Sequence, residues 1–238
     1  MESNTSSVAL VVHSHADNHT DRLTLPFRIF TIQDQTIKIH QAFKGDGRGG
    51  TTLGHGAAVY PASIVLSHYI EFHARVAGKT ILELGGGHGF SGIAAAVCGA
   101  KLVVSTDGDD TSLALTKKNI AQNEVGHNCQ ATKLLWGDCS DITDVYTAFG
   151  NAMPNLIIGS DVTACPYAEA LPKLLQTMIE LSNENTTILL SHKSRNIDEE
   201  SFWSQASAHF VVQQLDRFIH PDFLEDESLH LTKMVWKK

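Results

Sequence analysis

The sequence predicts an α/β fold in which a mainly parallel sheet is covered by helices on both faces and preceded by a short β-hairpin. Three observations carry that prediction. From residue 80 onward, short apolar runs alternate with stretches of helical periodicity, the order expected of parallel strands joined by crossover helices. The first run ends in the turn Glu83-Leu84-Gly85-Gly86-Gly87-His88-Gly89. The second ends in an acid, Asp107, just before another helical stretch. A parallel sheet gathers such turns beyond the carboxyl ends of its strands, where ligands bind.

Taken in order, residues 1–22 are rich in Ser, Asn, Asp and His apart from the apolar run 8–12, and predict a disordered leader. Residues 27–32 and 36–39 read as two β segments around Gln33-Asp34-Gln35, a hairpin that serves as a cover. Six glycines between 45 and 56 predict either a mobile lid or a plain loop. That stretch comes near a phosphate-binding loop, but Thr51 stands where a lysine must neutralise phosphate, which excludes a nucleoside triphosphatase. Pro61 suits the first turn of a helix whose apolar face is Ile64, Val65, Leu66, Tyr69, Ile70 and Phe72. A strand follows at 80–84, a helix at 90–98 stopped by Gly99, a strand at 101–106, and a helix capped by Asp109 or Asp110 that runs to about Asn123. Strands are expected at 129–135, 155–158 and 186–190, with a helix at 168–181 before the last of them. Phe202 and Trp203 pack a further helix on the sheet, and the tail reads as strands at 210–219 and 229–236 joined by an acidic turn. The expected organisation is one domain over 23–238, with hairpin and glycine-rich segment at 23–57 and the core at 58–238.

Composition narrows the function. A chain of 238 residues, 42% hydrophobic and 18% charged, can bury one substantial core. Its net charge of −8 argues against a nucleic-acid partner, because affinity for a polyanion comes from clustered Lys and Arg, and favours a basic partner. No apolar run has the roughly 18 residues of a membrane span, and the first residues lack the basic-then-apolar order of a secretory signal. Four scattered cysteines (Cys98, Cys129, Cys139, Cys165) form no CxxC pair, and the thirteen histidines show no metal-binding spacing. The expectation is a protein of the cytoplasm, or also of the nucleus, that holds no metal.

The chemistry-bearing residues fall at the strand ends. Gly85, Gly86 and Gly87 turn the chain without a Cβ and lead into a helix whose first amides attract an anion. Gly87, Gly89 and Gly92 also satisfy the dinucleotide pattern GxGxxG, but Gly85 already occupies the place directly after the strand, and the sixth position counted from it is Phe90. Glu83 would repel a pyrophosphate and could instead bind the amino group of an amino-acid-bearing cofactor; the plain alternative is a surface acid. Asp107 stands twenty positions after Gly87, the spacing at which an acid meets ribose hydroxyls, and Asp109 and Asp110 remain to cap the next helix. Trp136 could lie on an adenine ring or pack core, and Asp138 could reach the adenine amino group. Asp161 leaves an apolar strand and faces the crevice, where it could orient an amine, with Tyr167 walling the cavity.

These residues, in this order, resemble the seven-strand methyltransferases, and more closely the family-16 protein-lysine methyltransferases. The resemblance runs from about Phe27 to the C-terminus. It rests on Ala58-Val59-Tyr60-Pro61-Ala62-Ser63-Ile64-Val65-Leu66, Leu82-Glu83-Leu84-Gly85-Gly86-Gly87, Ser105-Thr106-Asp107-Gly108, Leu135-Trp136-Gly137 and Gly159-Ser160-Asp161-Val162. It implies a Rossmann-like seven-stranded sheet and S-adenosyl-L-methionine as cofactor. It also implies that Tyr60, in place of a family tryptophan, contacts that cofactor, that Gly85 to Gly87 wrap its methionyl part, that Asp107, with Gly108 after it, takes the ribose, that Trp136 lies on the adenine side, and that Ser160 adds a backbone contact. Asp161 would begin the family's DxxY motif beside the substrate amine. The fourth residue of that motif is here Ala164, and Tyr167 lies three positions further on. The resemblance implies a monomeric enzyme that methylates a lysine of a protein substrate. A small-molecule acceptor and a non-catalytic binding module are the alternatives.

Overall fold

A computed structural model describes residues 22–42, 55–163, 169–194 and 199–238. The hairpin forms from β1 (Phe27–Ile32) and β2 (Gln35–His40), antiparallel and in register from Phe27 opposite His40 to Ile32 opposite Gln35. Gln33 and Asp34 take positive φ of 49° and 60°, the left-handed pair that a two-residue hairpin turn requires.

After helix α1 (Pro61–Phe72) the chain alternates β3 (Thr80–Leu84), α2 (Phe90–Val97), β4 (Leu102–Asp107), α3 (Asp110–Gln122), β5 (Cys129–Lys133), α4 (Cys139–Ala148), β6 (Leu156–Ser160), α5 (Ala170–Glu180), β7 (Thr187–Lys193), α6 (Glu199–His209), β8 (Phe210–Gln214) and β9 (Leu229–Trp236). The strands form a seven-stranded sheet in the order β5-β4-β3-β6-β7-β9-β8. The five strands β3 to β7 are parallel where they pair, and β9 enters antiparallel between β7 and β8. Order therefore reverses between β3 and β6, the place where an open α/β sheet leaves a crevice at its carboxyl edge.

Two apolar cores lie on the two faces of the sheet. One joins the hairpin (Ile32, Ile37, Ile39) with α1, α2 and Ile120 of α3, and the other joins Ile142, Leu174, Met178 and Phe202 of α4 to α6. The hairpin is thus built into the first core, and Phe30 stacks on Phe90 at 4.2 Å between centroids.

Several expectations are corrected. Helix α4 has no counterpart in the sequence reading, because Ile142 and Val145 are its buried residues and two positions give no visible period. The third expected strand ends at Lys133; Leu134 then leaves the sheet, its amide bonded to the Asp107 carbonyl at 3.0 Å. The strand expected over 210–219 stops at Gln214. Asp216 opens a 3₁₀ turn there, and its carboxylate accepts the Leu231 amide at 2.9 Å. Strand β7 runs past the expected end at 190, with Ser191 and His192 buried within it. All of the leader except Arg22, and most of the glycine-rich segment, lie outside the described residues.

Candidate active site

The glycine turn is held from every side. Gly85, Gly87 and Gly89 have φ of 59°, 57° and 77°, where a side chain would be strained. A Cβ on Gly85 would come within 2.8 Å of Val162 and 3.4 Å of Trp136. The turn after β3 therefore touches the segments after β5 and β6, at the point where strand order reverses. The Gly86 amide donates to the Thr106 carbonyl at 2.7 Å, the Thr106 hydroxyl to the Glu83 carbonyl at 2.7 Å, and the Thr116 hydroxyl to the Gly87 carbonyl at 2.6 Å.

Glu83 is not in the crevice. Its carboxylate is buried beneath the turn, accepting the Gly92 amide at 3.0 Å on one oxygen and the Ser105 hydroxyl on the other. Burial raises its pKa to about 7, against the lowering effect of those two hydrogen bonds. It is therefore not the surface acid of the plain alternative, and it supports the turn and the start of α2 from within.

Asp107 ends β4 with its carboxylate toward the turn: Oδ2 accepts the Gly87 amide and Oδ1 the Asp109 amide, both at 3.0 Å. Burial raises its pKa above the ordinary carboxylate value. Capping of α3 falls to Asp109, whose carboxylate accepts the Ser112 amide at 2.7 Å. Gly108 lies under Leu135, where a Cβ would come within 3.3 Å of that side chain. Trp136 is half-buried, with its ring toward Gly85, so it both packs the second core and forms the crevice wall. Asp138 caps α4, one carboxylate oxygen accepting the amides of Ser140 and Asp141, each at 3.0 Å.

On the other side of the reversal, Ser160 ends β6 opposite Ser191 of β7, and Asp161 follows at φ 57°. The Asp161 amide donates to the Ser191 carbonyl at 2.7 Å, and its carboxylate accepts the Lys193 amide at 2.8 Å. Asp161 is fixed to β7 from both its backbone and its side chain. Tyr167 lies outside the described residues. Tyr60 immediately precedes α1, and its carbonyl accepts both the amide and the hydroxyl of Ser63, at 3.1 and 2.8 Å.

Sequence reasoning missed His88, Arg28 and Gln41. His88 is buried, and its Nδ1 accepts the Phe90 amide at 3.1 Å. Burial and the nearby Arg28 hold its pKa down to about 3, so the ring is neutral with its proton on Nε2. A lone histidine in a glycine turn and an arginine in a strand carry no motif. Only the tertiary contact marks them.

The glycine turn leaves no room for Cβ atoms, the carboxylate of Asp107 accepts the Gly87 amide, and His88 and Glu83 accept the Phe90 and Gly92 amides at the start of α2. Fold and site together define a class I S-adenosylmethionine-dependent methyltransferase. The profile of the lysine methyltransferase family matches residues 35–209. The chain belongs to that family. Among curated proteins it is 32% identical over 213 residues to the protein N-lysine methyltransferase METTL21A of Danio rerio, covering 88% of this chain and 87% of that one. It is 31% identical over 167 residues to the histone-arginine methyltransferase METTL23 of Homo sapiens, covering 66% and 84%. Among solved structures, the 16S rRNA N2 G1207 methyltransferase of T. thermophilus, in complex with AdoMet and guanosine, aligns with TM-score 0.58 and 17% identity, over 90% of this chain and 51% of that one. That last likeness concerns the fold.

Proposed function

We propose that the chain methylates the side-chain amine of a lysine in another protein, and that Asp161 holds that amine. The observation that carries this reading is Asp161 itself, an acid at the carboxyl end of β6, rigidly bonded to β7 and reached from the glycine turn across Val162. Bound S-adenosylmethionine supplies a methyl group activated by the positive sulfur. The neutral amine attacks that carbon in line: the N–C bond forms while the C–S bond breaks with its electron pair going to sulfur, and the new ammonium then gives a proton to water. The protein's part is to orient the amine and keep water out. A fixed carboxylate facing the amine orients it and favours the positive charge that grows on nitrogen.

Each cofactor contact belongs to this reading: Gly85 to Gly87 around the methionyl part, Asp107 and Gly108 at the ribose, Trp136 at the adenine, Ser160 and Tyr60 at the walls, Glu83 through the turn it supports, and Tyr167 beside the amine. The net charge of −8 suits a basic protein acceptor met as a monomer in the cytoplasm. The METTL21A relative, named for lysine, covers more of the chain than the METTL23 relative, named for arginine, and favours the lysine acceptor.

The test is transfer of tritiated methyl from S-adenosylmethionine into a lysate, with mapping of modified residues by mass spectrometry. Label on protein lysine, absent with Asp161→Ala, is expected. Label confined to small molecules would overturn the assignment.

A further inference from the structure

We infer that Gln41 is a positioning residue of the cofactor site, acting through residues 56–60; the inference rests on the reading of that site as one for S-adenosylmethionine. Gln41 lies just past β2 and is buried. Its side-chain oxygen accepts the Val59 amide at 2.8 Å, while its side-chain nitrogen donates to the carbonyls of Leu25 at 2.8 Å and Arg22 at 2.9 Å. From the same hairpin, Arg28 donates to the Val59 carbonyl at 3.1 Å, and the Ala42 amide donates to the Ala57 carbonyl at 2.8 Å. Between them, Ala58 is fully buried. Residues 57 and 59 are thus both tied to the hairpin.

Both ends of this strap meet the site. Upstream, the backbones of Gly56 and Gly87 are pressed together so closely that a Cβ on either would come within 2.7 Å of the other. Downstream, Tyr60 starts the turn into α1. A displacement of Val59 therefore moves Tyr60 on one side and Gly87 on the other. Gln41 suits this place because it must accept from one backbone group and donate to others from a buried position; a carboxylate offers no donor and an apolar chain neither. Leaving those groups unmet in the interior would loosen the strap, since buried backbone groups demand partners. The hairpin, expected from the sequence to be a cover, becomes part of the binding machinery.

The experiment is a double-mutant cycle on the full chain, read by calorimetric titration with S-adenosylhomocysteine, using wild type, Gln41→Met, Tyr60→Ala and the pair. Gln41→Met is expected to unfold cooperatively yet bind about tenfold more weakly, as loss of hydrogen bonds at one remove implies. In the Tyr60→Ala background the same change should cost at least about threefold less, because part of what it positions is gone. Unweakened binding by Gln41→Met, or losses that simply multiply, would overturn the positioning role. If Gln41→Met does not fold, Gln41→Glu, which keeps an acceptor for Val59, carries the same cycle with the same outcomes. A wild-type chain that binds no S-adenosylhomocysteine would instead overturn the cofactor reading, and this inference with it.

Discussion

The carboxylate of Asp107 accepts the amide of Gly87 at 3.0 Å, so the end of the second parallel strand holds the glycine turn that follows the first. The same oxygen pair takes the Asp109 amide, leaving the carboxylate partly pre-ordered before any ligand arrives. On the proposed placement of the cofactor, the ribose contact and the shape of the methionyl cradle depend on one residue. Asp107→Ala should weaken S-adenosylhomocysteine roughly ten- to a hundredfold, or about 1.5–3 kcal/mol, measured by calorimetry. Unchanged affinity would remove Asp107 from the ribose.

Glu83 gives the fold a pH dependence of unusual sign for an acid. Its pKa rises from 4.5 to about 7 on folding. Between those values the native chain keeps a proton that the unfolded chain has released, so the stability this group confers is complete below about pH 4.5 and is lost as pH climbs through 7. Glu83→Gln preserves an acceptor for Gly92 and a partner for Ser105 without the titration. Urea unfolding of the two proteins should diverge by roughly 3 kcal/mol across that window, the variant showing the flatter profile. Parallel profiles would mean that the carboxyl does not titrate there.

Two glycines separate backbone strain from close approach. Gly78 and Gly87 both have positive φ, 74° and 57°, but a Cβ on Gly78 meets nothing within 4 Å whereas one on Gly87 comes within 2.6 Å of Gly56. Gly78→Ala should cost about 1–2 kcal/mol in urea unfolding and leave S-adenosylhomocysteine affinity intact. Gly87→Ala should cost more and eliminate measurable binding, because the strap and the turn can no longer meet. Equal effects of the two substitutions would contradict the packed strap.

For Asp161 the expected result is a separation of binding from transfer. Asp161→Asn keeps an acceptor for the Lys193 amide, so the strand ends stay joined and S-adenosylhomocysteine should bind within about twofold of wild type. Protein methylation should fall by about a hundredfold or more, since a neutral amide no longer favours the growing ammonium charge. A variant with full transfer activity would release Asp161 from its assigned part.

Much of the sheet was legible because its strands are short apolar runs closed by glycine or an acid. Thr80 to Leu84 and the turn after it need no tertiary information to be recognised, and Pro61 and Asp109 mark helix starts by local chemistry. Helix α4 was not legible, since two buried residues leave no period to detect. Nor could the sequence show that Asp138 caps α4, or that the carboxylates of Asp107 and Asp161 tie strand ends together.

The order of motifs along the chain determined by itself the fold class, the cofactor and the family, because each depends on local turns and on the spacing between them. Where a carboxylate points was decided only by the tertiary structure. Glu83 and Asp107 sit at comparable strand ends, yet one is buried under the turn by Ser105 and Gly92 and the other lies beside Gly87. The hairpin's grip on Val59 through Gln41 and Arg28 spans 18 and 31 positions of sequence and follows no periodicity. Such contacts arise from packing of distant segments against a shared core, which no local pattern encodes.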